Sequence, residues 1–197
     1  MELILASSSP RRRKLLSEAG FVFRVVTPEL LEDSLAALGQ SAIDRARALA
    51  LAKARSVAPN FSQALVVGAD TLVALGERVI GKARDRQDAR QILTTLSGTT
   101  HQVITALALI FTCEGRTLLE HDTTSLTMAQ LSAEQIDHYL GTGPWQGKAG
   151  AYALQENDSF ISNVEGSFSN VVGLPLELFE RMLREVLPAR LLSEIKP

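Results

Sequence analysis

The sequence predicts an α/β protein built on a mixed, largely central β-sheet flanked by helices. Three observations carry that expectation. Short apolar runs at residues 3–6, 64–67 and 103–111 are bounded by turn residues, whereas residues 41–58 and the segment after Pro175 have helical apolar periodicity. The two kinds of segment interleave without strict alternation, because strand-like runs meet directly across Gly76-Glu77 and near Glu114-Gly115. With 197 residues, 46% of them hydrophobic, the chain is long enough for one large domain or two small lobes around a substantial core.

The elements follow in order. Residues 3–6 read as a buried strand. Ser9 is a natural N-cap, Pro10 fits the first helical position, Leu15, Leu16 and Ala19 form the inward face, and Gly20 supplies the stop. Residues 21–26 read as a second strand, followed over 27–40 by an acidic connection containing Glu29, Glu32 and Asp33. Residues 41–58 are helical and Pro59-Asn60 ends them. Residues 64–67 form a buried strand running into Gly68-Ala69-Asp70-Thr71, and 72–75 with 78–80 suggest a hairpin. Asp85 caps a helix through Leu96 that Ser97-Gly98 closes, and two long strands follow at 101–111 and 117–128. Ser132, with Gln135 at the capping-box position, opens a helix to Leu140. A Gly/Pro-rich loop over 141–150 precedes short strands at 151–154 and 159–164, and Pro175 starts a final amphipathic helix ending before Pro188. The organisation expected is one domain over residues 1–188 with a loosely held tail over 189–197.

Composition narrows the function. A net charge of −2 lacks the basic balance of a non-specific nucleic-acid binder, so any phosphate site is a local concentration of cations suited to a small ligand. The single cysteine, Cys113, rules out an internal disulfide and fits a reducing cytoplasm, the location expected here. His101, His121 and His138 show no zinc-ligand spacing, and no uninterrupted apolar stretch reaches membrane-spanning length.

The segment Ser7-Ser8-Ser9-Pro10-Arg11-Arg12-Arg13 carries an electrostatic anomaly. Three arginines crowd a helix N-terminus that already favours anions, and a bound phosphate chain would remove the conflict. Solvated arginines on a surface turn are the plainer alternative. Asp70 follows a buried strand, where open α/β sheets present functional side chains, and a carboxylate there can hold a divalent ion or take a proton from water. It could equally make a local turn hydrogen bond. Lys53 falls within the apolar sector of its helix, between Leu49 and Ala46, so it snorkels or meets an anion. Lys82 and Lys148, each preceded by glycine, are phosphate-facing or solvated; Glu32 lies in the acidic run, and Gln155 offers a neutral hydrogen-bonding amide. His101 reads as a structural histidine.

Six motifs stand in register: Ala6-Ser7-x-Ser9-Pro10-Arg11-Arg12, Gly68-Ala69-Asp70-Thr71, Gly81-Lys82, Leu96-Ser97-Gly98-x-x-His101-x-Val103, Lys148-Ala149-Gly150-Ala151-Tyr152 and Val172-Gly173-Leu174-Pro175. In this order the chain resembles the Maf family of nucleoside triphosphate pyrophosphatases over residues 2–187. The resemblance implies two lobes around a cleft, a fold related to the inosine triphosphate pyrophosphatases. It also implies hydrolysis between the α- and β-phosphates with a divalent metal cation (magnesium, manganese or cobalt). By the same resemblance Ser7, Arg11 and Arg12 match the phosphate loop, and Glu32, Lys53, Asp70 and Lys82 match polar active-site positions. Asp70 matches the proton acceptor, Asp70 and Glu32 are the metal candidates, and Lys148 joins the substrate-binding set. Arg12, Thr71 and Gln155 match positions associated with base selection.

Within the family, Asp70-Thr71 and the stretch from Lys148 to Gln155 look like the branch acting on dTTP and UTP. Ala83, Gly147 and Glu156 depart from the usual proline, aspartate and glycine, which bears on fine specificity more than on reaction type. Two alternatives stand beside this reading. One is a nucleotide-binding regulator of cell division or septum formation with weak or vestigial hydrolysis; the other is a pyrophosphatase of the 7-methyl-GTP type. The partners expected are a small-molecule nucleoside triphosphate and, as an open case, a second copy in a homodimer, with no nucleic-acid polymer and no membrane.

Overall fold

Seven strands pair into one mixed sheet in the computed structural model, which describes residues 1–29, 41–143, 145–152 and 160–196. The strands are β1 (Glu2–Ala6), β2 (Arg24–Val26), β3 (Ala64–Leu75), β4 (Arg78–Ile80), β5 (Thr100–Phe111), β6 (Arg116–Met128) and β7 (Ile161–Glu165). They lie in the order β2-β1-β3-β5-β6-β7, with β4 also paired to β3. β1 is parallel to both β2 and β3, and the other pairings are antiparallel. β3 gives one edge to β5 from Leu65 to Ala74. Its other edge is shared: β1 covers residues 64–68 and β4 covers 73–75. Residues 69–72 lie in the gap between those two partners.

Side chains alternate across the sheet, so even and odd positions of β3 and β5 meet different layers. On the even face Val66, Leu72, Ile104, Ala106 and Ala108 pack under helix α2 (Ala42–Val57), through Ala46, Ala50, Ala54 and Val57. Gly68 makes this contact close. A Cβ there would lie 2.2 Å from the Ala50 carbonyl oxygen and 2.7 Å from the Ala54 amide nitrogen. On the odd face one apolar cluster surrounds Val67, Ala69 and Leu107 with helices α1 (Pro10–Glu18) and α6 (Leu176–Val186). A second surrounds Val73, Val103 and Leu126 with helices α3 (Arg86–Leu96) and α4 (Ala133–Thr142). Between these two clusters the sheet presents threonines, roofed by the short helix α5 (Phe168–Val172).

Several elements differ from the sequence reading. β3 does not stop before Asp70; it runs through residues 68–71 because β5 pairs with it continuously, and Gly68 serves helix packing rather than a turn. Residues 21–23 are outside β2. Ala151 is not in a strand: it adopts φ 57°, a left-handed conformation, and residues 153–159 lie outside the described residues. Helix α5 was not anticipated. In place of a loosely held tail from Ala189, helix α7 (Ala189–Ile195) docks through Ile195, which is 1% exposed and whose carbonyl accepts from the Val22 amide at 2.8 Å. Among the described residues no helix is long and apolar enough to cross a membrane.

Candidate active site

The loop between β1 and α1 is folded by its own serines. The Ser7 amide donates to the Val26 carbonyl at 3.1 Å, the Ser9 amide to Ser7 Oγ at 3.1 Å, and Ser9 Oγ accepts from the Arg12 amide. Arg12 turns back from the helix into the protein. Its Nε donates to the Gly173 carbonyl at 2.7 Å, Nη2 to Thr71 Oγ1 at 3.0 Å and Nη1 to Ser7 Oγ at 3.4 Å. The charge of Arg12 at the helix N-terminus is therefore met partly by protein oxygens, whereas Arg11 lines the open cleft and Arg13 is exposed.

Asp70 and Thr71 occupy the gap in the β3 edge, beyond the end of β1. Asp70 faces α2, where Lys53 Nζ donates to its Oδ1 at 2.7 Å. Both groups are buried, at 7% exposure each. The second carboxylate oxygen, Oδ2, is buried without a hydrogen-bond partner among the described residues.

Thr71 faces the other way, into a chain of hydrogen bonds whose direction is determined. Thr105 Oγ1 donates to the Asn170 carbonyl at 2.9 Å, so its single proton is spent. The 2.9 Å contact between Thr71 and Thr105 therefore has Thr71 as donor. Having donated there and accepted from Arg12, Thr71 Oγ1 retains only an acceptor lone pair. Asn170 Nδ2 in turn donates to the Val103 carbonyl and to Thr124 Oγ1, both at 2.9 Å, fixing α5 over the sheet.

Arg11, Arg12, Lys53, Asp70 and Thr71 border one cleft of about 390 Å³, lined also by Ser7, Lys82, Val73, Val103, Lys148, Tyr152 and Val172. Lys82 is exposed at its rim, and Lys148 is 9% exposed in its wall. Their two loops are tied by a backbone bridge between Lys82 and Ala149 and by the Gly150 amide donating to the Gly81 carbonyl at 3.2 Å. Tyr152 hydroxyl and His101 Nε2 are 2.6 Å apart. Burial pushes the His101 imidazole down to about 4 and raises the Tyr152 phenol above its ordinary range, so both are neutral near pH 7.

A family model described as Maf-like protein matches residues 2–186. The chain belongs to the Maf family. Among curated Maf relatives, a dTTP/UTP pyrophosphatase of Symbiobacterium thermophilum is 43% identical over 93% of this chain and 93% of its own. A dTTP/UTP pyrophosphatase of Pelotomaculum thermopropionicum is 41% identical over 93% of this chain and 96% of its own. The solved structure of a HAM1 protein from Coxiella burnetii covers 94% of this chain and all of its own, with a TM-score of 0.53 and 16% identity. That likeness is one of fold, and it agrees with the α/β class read from the sequence.

In this Maf protein, Ser7, Arg11, Arg12, Lys53, Asp70, Thr71, Lys82 and Lys148 come together at one cleft. Glu32 and Gln155 lie outside the described residues. Among the described residues no three His, Cys, Asp or Glu side chains cluster as a metal cage. Thr105 and Asn170 were not singled out from sequence, although each is a polar residue in an apolar run, Val103-Ile104-Thr105-Ala106 and Asn170-Val171-Val172. Gly173 contributes through its carbonyl, which side-chain chemistry could not have revealed.

Proposed function

We propose that this Maf protein hydrolyses dTTP and UTP between the α- and β-phosphates, giving the monophosphate and pyrophosphate, with a divalent cation held beside the substrate. It is a nucleoside triphosphate pyrophosphatase. The observation that carries this reading is the Lys53–Asp70 pair, whose Oδ2 has no partner among the described residues, in the same cleft as Arg11, Lys82 and Lys148. The names of the curated relatives support the substrate class.

Asp70 Oδ2 accepts a proton from a water molecule as that water's oxygen bonds to the α-phosphorus. The bridging P–O bond breaks and its electron pair leaves with pyrophosphate, whose charge the cationic side chains offset. Lys53 holds Oδ1, which fixes the orientation of the carboxylate. Magnesium takes oxygen ligands, commonly one or two carboxylates completed by substrate phosphates and water, and the Asp70 oxygen without a partner among the described residues fits that donor set. Asp70 would hold such an ion, with Glu32 as second carboxylate, and when bound it neutralises phosphate charge. Because Thr71 can only accept, it suits the ring N3–H that uracil and thymine present, at a position where cytosine carries a bare N3 acceptor.

The test is to incubate purified protein with UTP or dTTP and follow products by phosphorus NMR, with and without EDTA. The expected products are monophosphate and pyrophosphate, with EDTA abolishing turnover. Orthophosphate with a nucleoside diphosphate would overturn the assignment of the cleaved bond.

A further inference from the structure

Lys148 stands on a loop without regular secondary structure, yet it is 9% exposed, which is unusual for a loop lysine. The loop's backbone does not favour this arrangement unaided. Gly147 and Gly150 have φ of 68° and 74°, and Ala151 adopts φ 57° despite carrying a Cβ, a conformation costly for alanine. Such a turn persists where surrounding contacts over-determine it.

One of those contacts is made by the next residue. Tyr152 is folded back over its own loop, so that a Cβ on Gly150 would lie 2.7 Å from its ring. Its hydroxyl meets His101 Nε2 at 2.6 Å, with the two rings edge to face at 5.4 Å between centroids. Tyr152 and His101 are 5% and 1% exposed. His101 Nδ1 is buried without a partner among the described residues, so the contact with Tyr152 is the polar bond this ring makes there. His101 lies on β5 two residues before Val103, a wall of the cleft, so the bond ties the loop to the central sheet.

We propose that His101 and Tyr152 are positioning residues, a hydrogen-bonded latch that holds the 145–152 loop so that Lys148 stays in the cleft against the triphosphate. The proposal rests on the pyrophosphatase reading for the ligand that Lys148 meets. Neither residue needs to touch the reacting atoms. The latch acts through Lys148, and that makes it separable from a general contribution to the core.

The experiment is a double-mutant cycle in the full chain, measured as kcat and KM for UTP, with thermal melts of every variant. Tyr152→Phe is expected to lower kcat/KM about tenfold, mainly through KM, and Lys148→Ala to shift the same parameter in the same direction. In the Lys148→Ala background Tyr152→Phe should change kcat/KM by less than about twofold, because the group it positions is gone. His101→Leu should reproduce Tyr152→Phe, and His101→Gln, which returns a polar atom near Nε2, should recover most of the loss. Multiplicative effects of Tyr152→Phe and Lys148→Ala would overturn the latch, as would an unchanged KM in Tyr152→Phe. If either single variant fails to fold, the His101→Leu and His101→Gln pair decides, and equal loss in both overturns the proposal. A wild-type protein that releases no pyrophosphate from UTP refutes the activity itself, a result distinct from any failure of the cycle.

Discussion

Lys53 and Asp70 form a buried ion pair at 2.7 Å through Oδ1, while Oδ2 has no hydrogen-bond partner among the described residues. The pair joins a helix to the open stretch of β3, and its geometry depends on Gly68 two residues earlier, where the helix backbone comes within contact of the strand. The proposed catalysis and the packing of the helix on the sheet therefore meet at this point.

Asp70→Asn keeps size and one acceptor but loses the charge that the proposed proton transfer needs. We expect kcat to fall at least about a hundredfold, roughly 3 kcal/mol. The same change leaves the Lys53 charge buried beside a neutral amide, which costs stability even without substrate. The double variant Lys53→Met with Asp70→Asn should melt higher than Asp70→Asn alone. Equal melting temperatures would show that the pair is not coupled in the folded protein.

Gly68→Ala tests the close approach. The added methyl would meet backbone atoms of Ala50 and Ala54, which cannot rotate aside. A loss of about 3 kcal/mol in denaturant unfolding is expected, since the helix must shift as a unit. Turnover should fall with it because Lys53 moves away from Asp70. Near-native stability would indicate that the helix slides freely on the sheet.

Thr71→Val removes the acceptor lone pair while keeping the shape. In the unaltered protein UTP should exceed CTP in kcat/KM by at least about tenfold, and the valine variant should narrow that ratio chiefly by losing UTP. UTP and dTTP should likewise exceed 7-methyl-GTP by about tenfold or more. Equal rates with UTP and CTP before mutation would remove Thr71 from base choice.

The His101–Tyr152 pair also predicts a pH dependence of stability. The imidazole titrates near its ordinary 6.5 when unfolded and at about 4 when folded, so between those values the unfolded chain binds the extra proton. Its contribution is present above about 6.5 and is lost as pH falls toward about 4, up to roughly 3 kcal/mol in all. Denaturant unfolding across that range should show His101→Gln less pH-sensitive than the unaltered protein. Identical slopes would mean that the histidine titrates alike in both states.

What was legible in the sequence was mostly local. Ser9, Asp85 and the Ser132–Gln135 capping box all cap helices as read, because a cap bonds within three residues of itself. Lys53 was legible as an anomaly, a charge on an apolar helix face, though its partner was not. The features that escaped are set by distant chain. Arg12 meets a carbonyl 161 residues away, β3 stays extended through Gly68 because β5 runs beside it, and α5 is ordered by Asn170 bonding to β5 and β6. Local periodicity carries no trace of such partners.

The long strands have a mechanical consequence. β3, β5 and β6, of 12, 12 and 13 residues, each span both odd-face clusters without interruption, at roughly 3.3 Å per residue about 40 Å of continuous ladder. The two banks of the cleft are thus mounted on one beam and not joined by a linker. Any closing movement must come from twisting that beam, with its hydrogen bonds kept. A chain cut between Gly68 and Val73 would then not yield two halves that each fold alone.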